Sequence, residues 1–304
     1  MIHVLCLNPA IDKLFAIDGF TAGEDYPGRT PRVCIGGKGV NVARVLSQLG
    51  ARAALYAFLG EGGGEIRREM EARCACLFVP VPGACRTTVN IIDRAAGRET
   101  VITESGPRVG EEHVARLMDG LRERVAAGDI VCCSGSLPLG APEDLYAQVS
   151  RLCQEAGALC ALDCNAKALP RSLSGARYAL GKPNDRELAA LLGLPRARET
   201  GEVLRRARML MPPYGALLVS MGANGGLYVS EEGAYGARVP QTPVVSTVGS
   251  GDASFAGALC GMDRGLGARA VLRLAMACGV VNAMGEAVGS VEAEAVARMK
   301  EKIE

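Results

Sequence analysis

The chain has 304 residues, a length that suits one large α/β domain or one domain with a small appendage. Apolar residues make up 49% of it, enough for a substantial core. Its 34 basic and 33 acidic residues leave a net charge of +1, which argues against bulk binding to nucleic acid or an anionic membrane.

In chain order, Ile2 to Leu7 is a short apolar run that ends at Asn8-Pro9 and predicts a buried strand. Val40 to Leu49 predicts a helix with Val42, Val45, Leu46 and Leu49 on one face, ended by Gly50. Leu55 to Leu59 reads as a strand, and Glu111 to Val125 as an amphipathic helix. Asp129 to Cys133 is a strand, followed by a helix over Glu143 to Glu155 opened by Pro142. Ala158 to Leu162 is a strand running into Asp163. A short helix over Glu187 to Leu192 and a strand over Ala216 to Ser220 come next. Helices over Ala253 to Met262 and Ala268 to Met284 complete the series. This alternation predicts an α/β fold with a mostly parallel sheet covered on both faces. Residues 11–35 and 85–104 lack helical period and predict a small β flap outside the main sheet.

The 12 cysteines do not read as a disulfide framework or a metal site. Cys132 and Cys133 are adjacent within an apolar run, and Cys6, Cys160, Cys260 and Cys278 also sit in apolar runs. Cys74 and Cys76 have one residue between them, not the two of a zinc knuckle, and neither His3 nor His113 is near a cysteine pair. Reduced, buried cysteines of a soluble, cytoplasmic protein are expected. The start shows no secretory pattern, and no run of about 18 apolar residues occurs.

Several stretches carry candidate chemistry. Gly36-Gly37-Lys38-Gly39-Val40-Asn41 brings backbone amides, a lysine and a helix start together, which suits an anion or equally a glycine-rich turn. It lacks the spacing of a Walker P-loop. Asp12, just past a strand end, suits sugar hydroxyls or a plain turn. Ser134-Gly135-Ser136-Leu137-Pro138 follows a strand but is not a hydrolase elbow. Asn184 and Glu187 share one side of a helix start, fit for a hydrated magnesium ion or for a helix cap. Gly249-Ser250-Gly251-Asp252 is a near miss of a dinucleotide fingerprint, with Ser254 and Leu272 where that motif wants a small residue and an acid. There a carboxylate stands directly after an anion-binding turn.

Six stretches in order resemble the ribokinase-like (PfkB-type) carbohydrate kinases across essentially the whole chain. They are L-N-P-A-I-D at 7–12, G-G-K-G-V-N-V-A-R-V-L at 36–46, S-G-S-L-P at 134–138, L-G-K-P-N-D-R-E-L at 180–188, V-S-M-G at 219–222 and S-T-V-G-S-G-D at 246–252. The first two look like the phosphosugar branch, which includes 1-phosphofructokinases and tagatose-6-phosphate kinases. The resemblance implies a three-layer α/β/α core over 1–10, 36–84 and 105–304, and a β lid over 11–35 and 85–104 that also forms a homodimer interface. It implies transfer of a phosphoryl group from ATP, with Mg2+, to a hydroxyl of a sugar or sugar phosphate. Asp252 takes the position of the base, and the amides of Gly249, Ser250 and Gly251 that of an anion hole. Asp12, Gly36, Gly37, Lys38, Asn41, Arg86, Asn90 and Ser136 fall on the substrate side. Lys182, Asn184, Glu187, Ser220, Gly222, Thr247 and Asn282 fall on the nucleotide side, with Asn184 and Glu187 holding the metal through water. A helix N-terminus is expected to keep Asp252 ionised.

The chain departs from the branch at one place. Where its lid carries R-x-N, Thr88 precedes Asn90, and Arg86 stands four residues before it. Positions 86, 88 and 90 share a strand face, so Arg86 is the candidate grip for a substrate phosphate, with Arg29 and Lys38 as other cations. The departure keeps an unphosphorylated sugar or a nucleoside open as substrate. A non-catalytic sugar-phosphate sensor would be expected to lose the base or the anion hole, and both are present.

Overall fold

The computed structural model describes residues 1–163, 169–173 and 175–304. Its elements run β1 (Ile2–Leu5), β2 (Ala10–Ala16), β3 (Arg32–Gly36), α1 (Lys38–Gln48), β4 (Ala53–Glu61), α2 (Gly64–Glu71), β5 (Ala75–Ala84), β6 (Arg86–Asp93) and β7 (Arg98–Thr103). They continue with α3 (Glu111–Arg122), β8 (Ile130–Ser134), α4 (Leu145–Ala156), β9 (Leu159–Asp163), α5 (Leu169–Ser172), β10 (Leu180–Gly181), α6 (Asp185–Leu191) and α7 (Thr200–Met209). The last are β11 (Ala216–Ser220), a short 3-10 turn (Gly222–Asn224), β12 (Gly226–Ser230), β13 (Gly233–Ala237), α8 (Ser250–Asp263), α9 (Ala268–Met284) and α10 (Ala293–Lys300).

Nine strands form the main sheet in the order β13-β12-β11-β10-β9-β8-β1-β4-β5. Every neighbouring pair from β11 to β5 is parallel, and β12 and β13 add an antiparallel edge. Ile2 and Val4 pack on one face with α1, α8 and α9, while Leu5 and Leu7 pack on the other with α3 and α4. Strands buried on both faces read as unbroken apolar runs, as Leu55 to Leu59 does. Four further strands form a separate sheet in the order β3-β2-β6-β7, as the alternation in 11–35 and 85–104 predicts.

Some boundaries and elements differ from the sequence reading. The helix expected from Glu143 starts at Leu145, because the Pro142 carbonyl accepts from the Leu145 amide in a preceding turn. The helix expected from Ala253 starts three residues earlier, at Ser250, so Asp252 lies inside its first turn. β5 was not anticipated. It holds Pro80 and Pro82, and it pairs only with β4 at the sheet edge, where missing donors are tolerated. The hairpin β12–β13 and helices α2, α7 and α10 were not anticipated either.

β1 lies between β4 and β8, so the sheet winds outward in both directions from it. Carboxyl ends of strands at such a switch point open onto a crevice. Helix α8 packs between α1 and α9 and brings its N-terminus to that crevice. Phe255, fully buried and one turn past Asp252, anchors it; truncation of such a ring costs about 3–5 kcal/mol. No helix among the described residues is long and apolar enough to cross a membrane, and their cysteines carry no disulfide.

Candidate active site

Two strand ends and two helix starts supply the charged groups. Asp163 ends β9 and is almost wholly buried, Lys38 opens α1, and Lys182 follows β10. Lys38 Nζ donates to Asp163 Oδ1 at 2.9 Å, and Lys182 Nζ lies 3.5 Å from Oδ2. Burial opposes the charge on Asp163, yet Lys182 and Lys38 hold its carboxyl below the usual range. Burial likewise works against the Lys38 ammonium, but Asp163, Asp252 and Glu187 around it raise its proton affinity well beyond the ordinary lysine value.

Asp252 is 7% exposed and accepts from Asn41 Nδ2 at 2.8 Å. Burial, reinforced by the Asp163 charge, pushes its carboxyl up to about 6, while Lys38, Asn41 and Lys182 pull the other way. Burial thus works against the ionised form that a helix N-terminus is expected to favour, and such a group is still mostly charged at pH 7.

The turn before Asp252 is built around Gly249, whose φ of 77° lies in the left-handed region that favours glycine. Helix geometry leaves the first N–H groups of α8 without intrahelical acceptors. The Ser250 amide is the exception to the expected three-amide cradle, since it donates to the Thr247 carbonyl at 3.2 Å. Asn282 is 1% exposed and does not stand free for a nucleotide. Its Nδ2 donates to the Val248 carbonyl and Ser250 Oγ, and its Oδ1 accepts from the Ser290 amide, so it pins this turn from behind. Lys182 Nζ would lie 3.3 Å from a side chain placed at Gly251, which puts its cation beside the same turn.

For the residues expected to face the substrate, the four-stranded sheet sets the register. Arg86 pairs with Ala10, Thr88 with Asp12 and Asn90 with Leu14. Burial raises the Asp12 carboxyl, while the hydrogen bond of the Thr88 hydroxyl and the charges of Arg86 and Arg44 oppose that shift. Gly36 lies directly over this carboxylate; a Cβ there would collide with Asp12 Oδ2. Gly37 caps α1 at a φ of 110°.

Cys6, Asn8, Lys38, Arg86, Ser134, Gly135 and Ser136 line a cavity of about 150 Å³. Asn8 Oδ1, Arg86 Nε, Ser134 Oγ and Ser136 Oγ are all buried there without a hydrogen-bond partner. Buried polar atoms are rarely left in that state, and four around one cavity mark a place for a polar ligand. Lys38 and Lys182 are committed to Asp163, whereas no carboxylate among the described residues is within ion-pair distance of Arg86. Asn90, two register steps further out, does not line the cavity.

On the far side, Asn184 and Glu187 form a complete capping box on α6. Asn184 Oδ1 accepts from the Arg186 and Glu187 amides, and Glu187 Oε2 accepts from the Asn184 amide. The cap reading of this pair is therefore realised. Ser220 at the end of β11 bridges to Asn184, and Gly222 opens the following turn, so these positions come together. Thr247 is exposed beside them in sequence with the α8 turn. Among the described residues no cluster of three or more acids, histidines or cysteines is placed to hold a metal directly.

Arg44 was not singled out in the sequence, and Asn8, Ser134 and Asp163 were named only within longer stretches. Asp163 had a readable signal as the acid closing a parallel strand.

The chain is similar to known proteins over its whole length. It is 36% identical over 295 residues to the 1-phosphofructokinase of Rhodobacter capsulatus, covering 94% of this chain and 90% of that one. It is 30% identical over 310 residues to a tagatose-6-phosphate kinase of Staphylococcus epidermidis, covering 100% and 99%. The phosphofructokinase-2 of Escherichia coli shares the fold at a TM-score of 0.89 and 23% identity, covering 99% and 98%. The model of the pfkB family carbohydrate kinases matches residues 4–292, and the chain belongs to that family.

Proposed function

We propose that this carbohydrate kinase transfers a phosphoryl group from ATP to a hydroxyl of a sugar phosphate. The fitting conversions are fructose-1-phosphate to fructose-1,6-bisphosphate, or tagatose-6-phosphate to the 1,6-bisphosphate. The observation that carries the phosphorylated substrate is the cavity, in which Arg86 is an uncommitted cation among unpartnered polar atoms. The relatives named above supply the substrate class by likeness.

In this reading the substrate phosphate lies against Arg86, Ser136 and Asn8, and Asp12 beneath Gly36 receives sugar hydroxyls. Lys38 lines the cavity and also faces Asp252, so it links the two ends of the sugar. Asp252 orients the attacking hydroxyl and accepts its proton. The transition state for such transfer is loose, so positioning and charge stabilisation do most of the catalysis. The free N–H groups at the start of α8, with Lys182 beside Gly251, meet charge on the transferring oxygens.

Magnesium, when bound with the nucleotide, neutralises phosphate charge. Glu187 fits this role through water, because its carboxylate reaches Lys38 electrostatically while serving the cap. The lid leaves Val33, Val101 and Ile102 exposed, which fits a homodimer formed through it; light scattering at micromolar concentration tests this.

A coupled ADP-release assay across fructose-1-phosphate, fructose-6-phosphate, tagatose-6-phosphate, ribose and nucleosides tests the substrate. Preference for an unphosphorylated acceptor would overturn the phosphate reading.

A further inference from the structure

Arg44 is a buried arginine that the reaction scheme above does not use. It lies three residues after Asn41, on the same face of α1, and is 6% exposed. Four hydrogen bonds leave its guanidinium. Nε donates to Glu69 Oε1 at 2.8 Å, and Nη1 donates to Asn41 Oδ1 and to the Val288 carbonyl, both at 3.0 Å. Nη2 donates to the Ile35 carbonyl at 3.1 Å.

These contacts join four parts of the site. Ile35 precedes the Gly36 that covers Asp12. Val288 precedes Gly289, whose backbone runs against both the Asn41 side chain and the Gly249 turn. Glu69 on α2 is 34% exposed and carries the chain of contacts to the surface.

The amide of Asn41 is the decisive link. An asparagine amide has a donor end and an acceptor end, and its neighbours decide which way it points. Arg44 can only donate, so the carbonyl must face Arg44 and the NH2 must face Asp252. Turned over, Asn41 would set NH2 against guanidinium and oxygen against carboxylate. Asn41 thus holds Asp252 Oδ2, and the other carboxylate oxygen is left to meet the substrate hydroxyl.

We propose that Arg44 is a positioning residue for phosphoryl transfer, acting through Asn41 to orient the carboxylate of Asp252. The proposal rests on Asp252 being the base. Other charged groups also face Asp252: Lys38 from α1, Asp163 from β9 and Lys182 from the segment after β10. None of these touches Arg44, so the path through Asn41 can be tested separately.

The test is a double-mutant cycle on kcat with Arg44→Lys and Asn41→Ala. Lysine keeps the charge but cannot make the fork of contacts. Each single variant is expected to lower kcat by about 10- to 100-fold, the scale of a 1 Å misplacement, and Arg44→Lys to leave both KM values within about threefold of wild type. The double variant is expected to fall no further than the worse single one, and the acid limb of kcat to move to higher pH equally in both singles. Multiplicative losses, or a kcat for Arg44→Lys near wild type, would overturn the proposal. If Arg44→Lys does not fold, Glu69→Gln loosens the same guanidinium from the surface. A severalfold fall in kcat that disappears in the Asn41→Ala background supports the path, and an unchanged kcat overturns it. Asp252→Asn separates the two readings: substantial activity there removes the base itself, whereas an inactive Asp252→Asn with a silent Arg44→Lys removes only the relay.

Discussion

Replacing Arg86 with alanine is expected to weaken affinity while leaving stability intact. A hydrogen bond from a charged group to phosphate is worth about 1.5–3 kcal/mol, and each 1.4 kcal/mol is about tenfold, so KM for the sugar phosphate should rise about 10- to 100-fold. Stability should not fall with it. Arg86 Nε is buried without a partner in the free protein, a state that costs about 1–3 kcal/mol, and truncation removes that cost while forfeiting only stem packing. The assay is steady-state ADP release against sugar phosphate and against ATP, beside a thermal unfolding scan. The expected result is a raised KM for the sugar phosphate, an unchanged KM for ATP and a Tm within about 2 °C of wild type. An unchanged KM for the sugar phosphate would refute the assignment of the cavity. A Tm several degrees lower would show that Arg86 serves the fold instead.

Four further outcomes follow from the same geometry. Asp252→Asn should keep ATP binding and lower kcat about 10²- to 10⁴-fold, the usual contribution of a positioned base; turnover near wild type removes it from that role. Because Asp252 has its carboxyl raised to about 6, kcat/KM should fall as pH drops below that value, where the proton it must accept is already present. The Lys38 cation favours the charged carboxylate, so Lys38→Met should shift this limb to higher pH; a pH profile that does not move counts against their coupling. Glu187→Gln keeps a side chain able to complete the capping box but removes the charge, so Tm should hold while the magnesium concentration for half-maximal rate rises; an unchanged requirement confines Glu187 to the cap.

The transfer turn was the most legible part of the site, because Gly249 to Asp252 is contiguous and its local conformation follows from its own residues. The lid sheet was legible for the same reason, through period-2 alternation such as Thr87 to Ile92. Groups assembled from distant strand ends were harder to see. Lys38, Asp163 and Lys182 are far apart in sequence and meet only because β1, β8, β9 and β10 lie side by side. Arg44 looked like one more charge on a helix, and its burial depends on α2 and on the loop at Val288. Asn184 and Glu187 show the reverse limit. One spacing suited both a cap and a metal, and the geometry displays the cap without removing the carboxylate from reach of the site.

The lid sheet joins the main sheet through four chain crossings: residues 6–9, Gly37, Cys85 and residues 104–110. Each crossing passes the acceptor side of the crevice, beside Asn8, Gly36, Arg86 and Gly106, the last lying against Asn8. Asp252, Lys182 and the α8 turn belong wholly to the main sheet and its helices. In the proposed reaction, the groups that would receive the acceptor and those that would move the phosphoryl group therefore hang on different sheets, and a shift in the four crossings would change the spacing between them without disturbing either set internally.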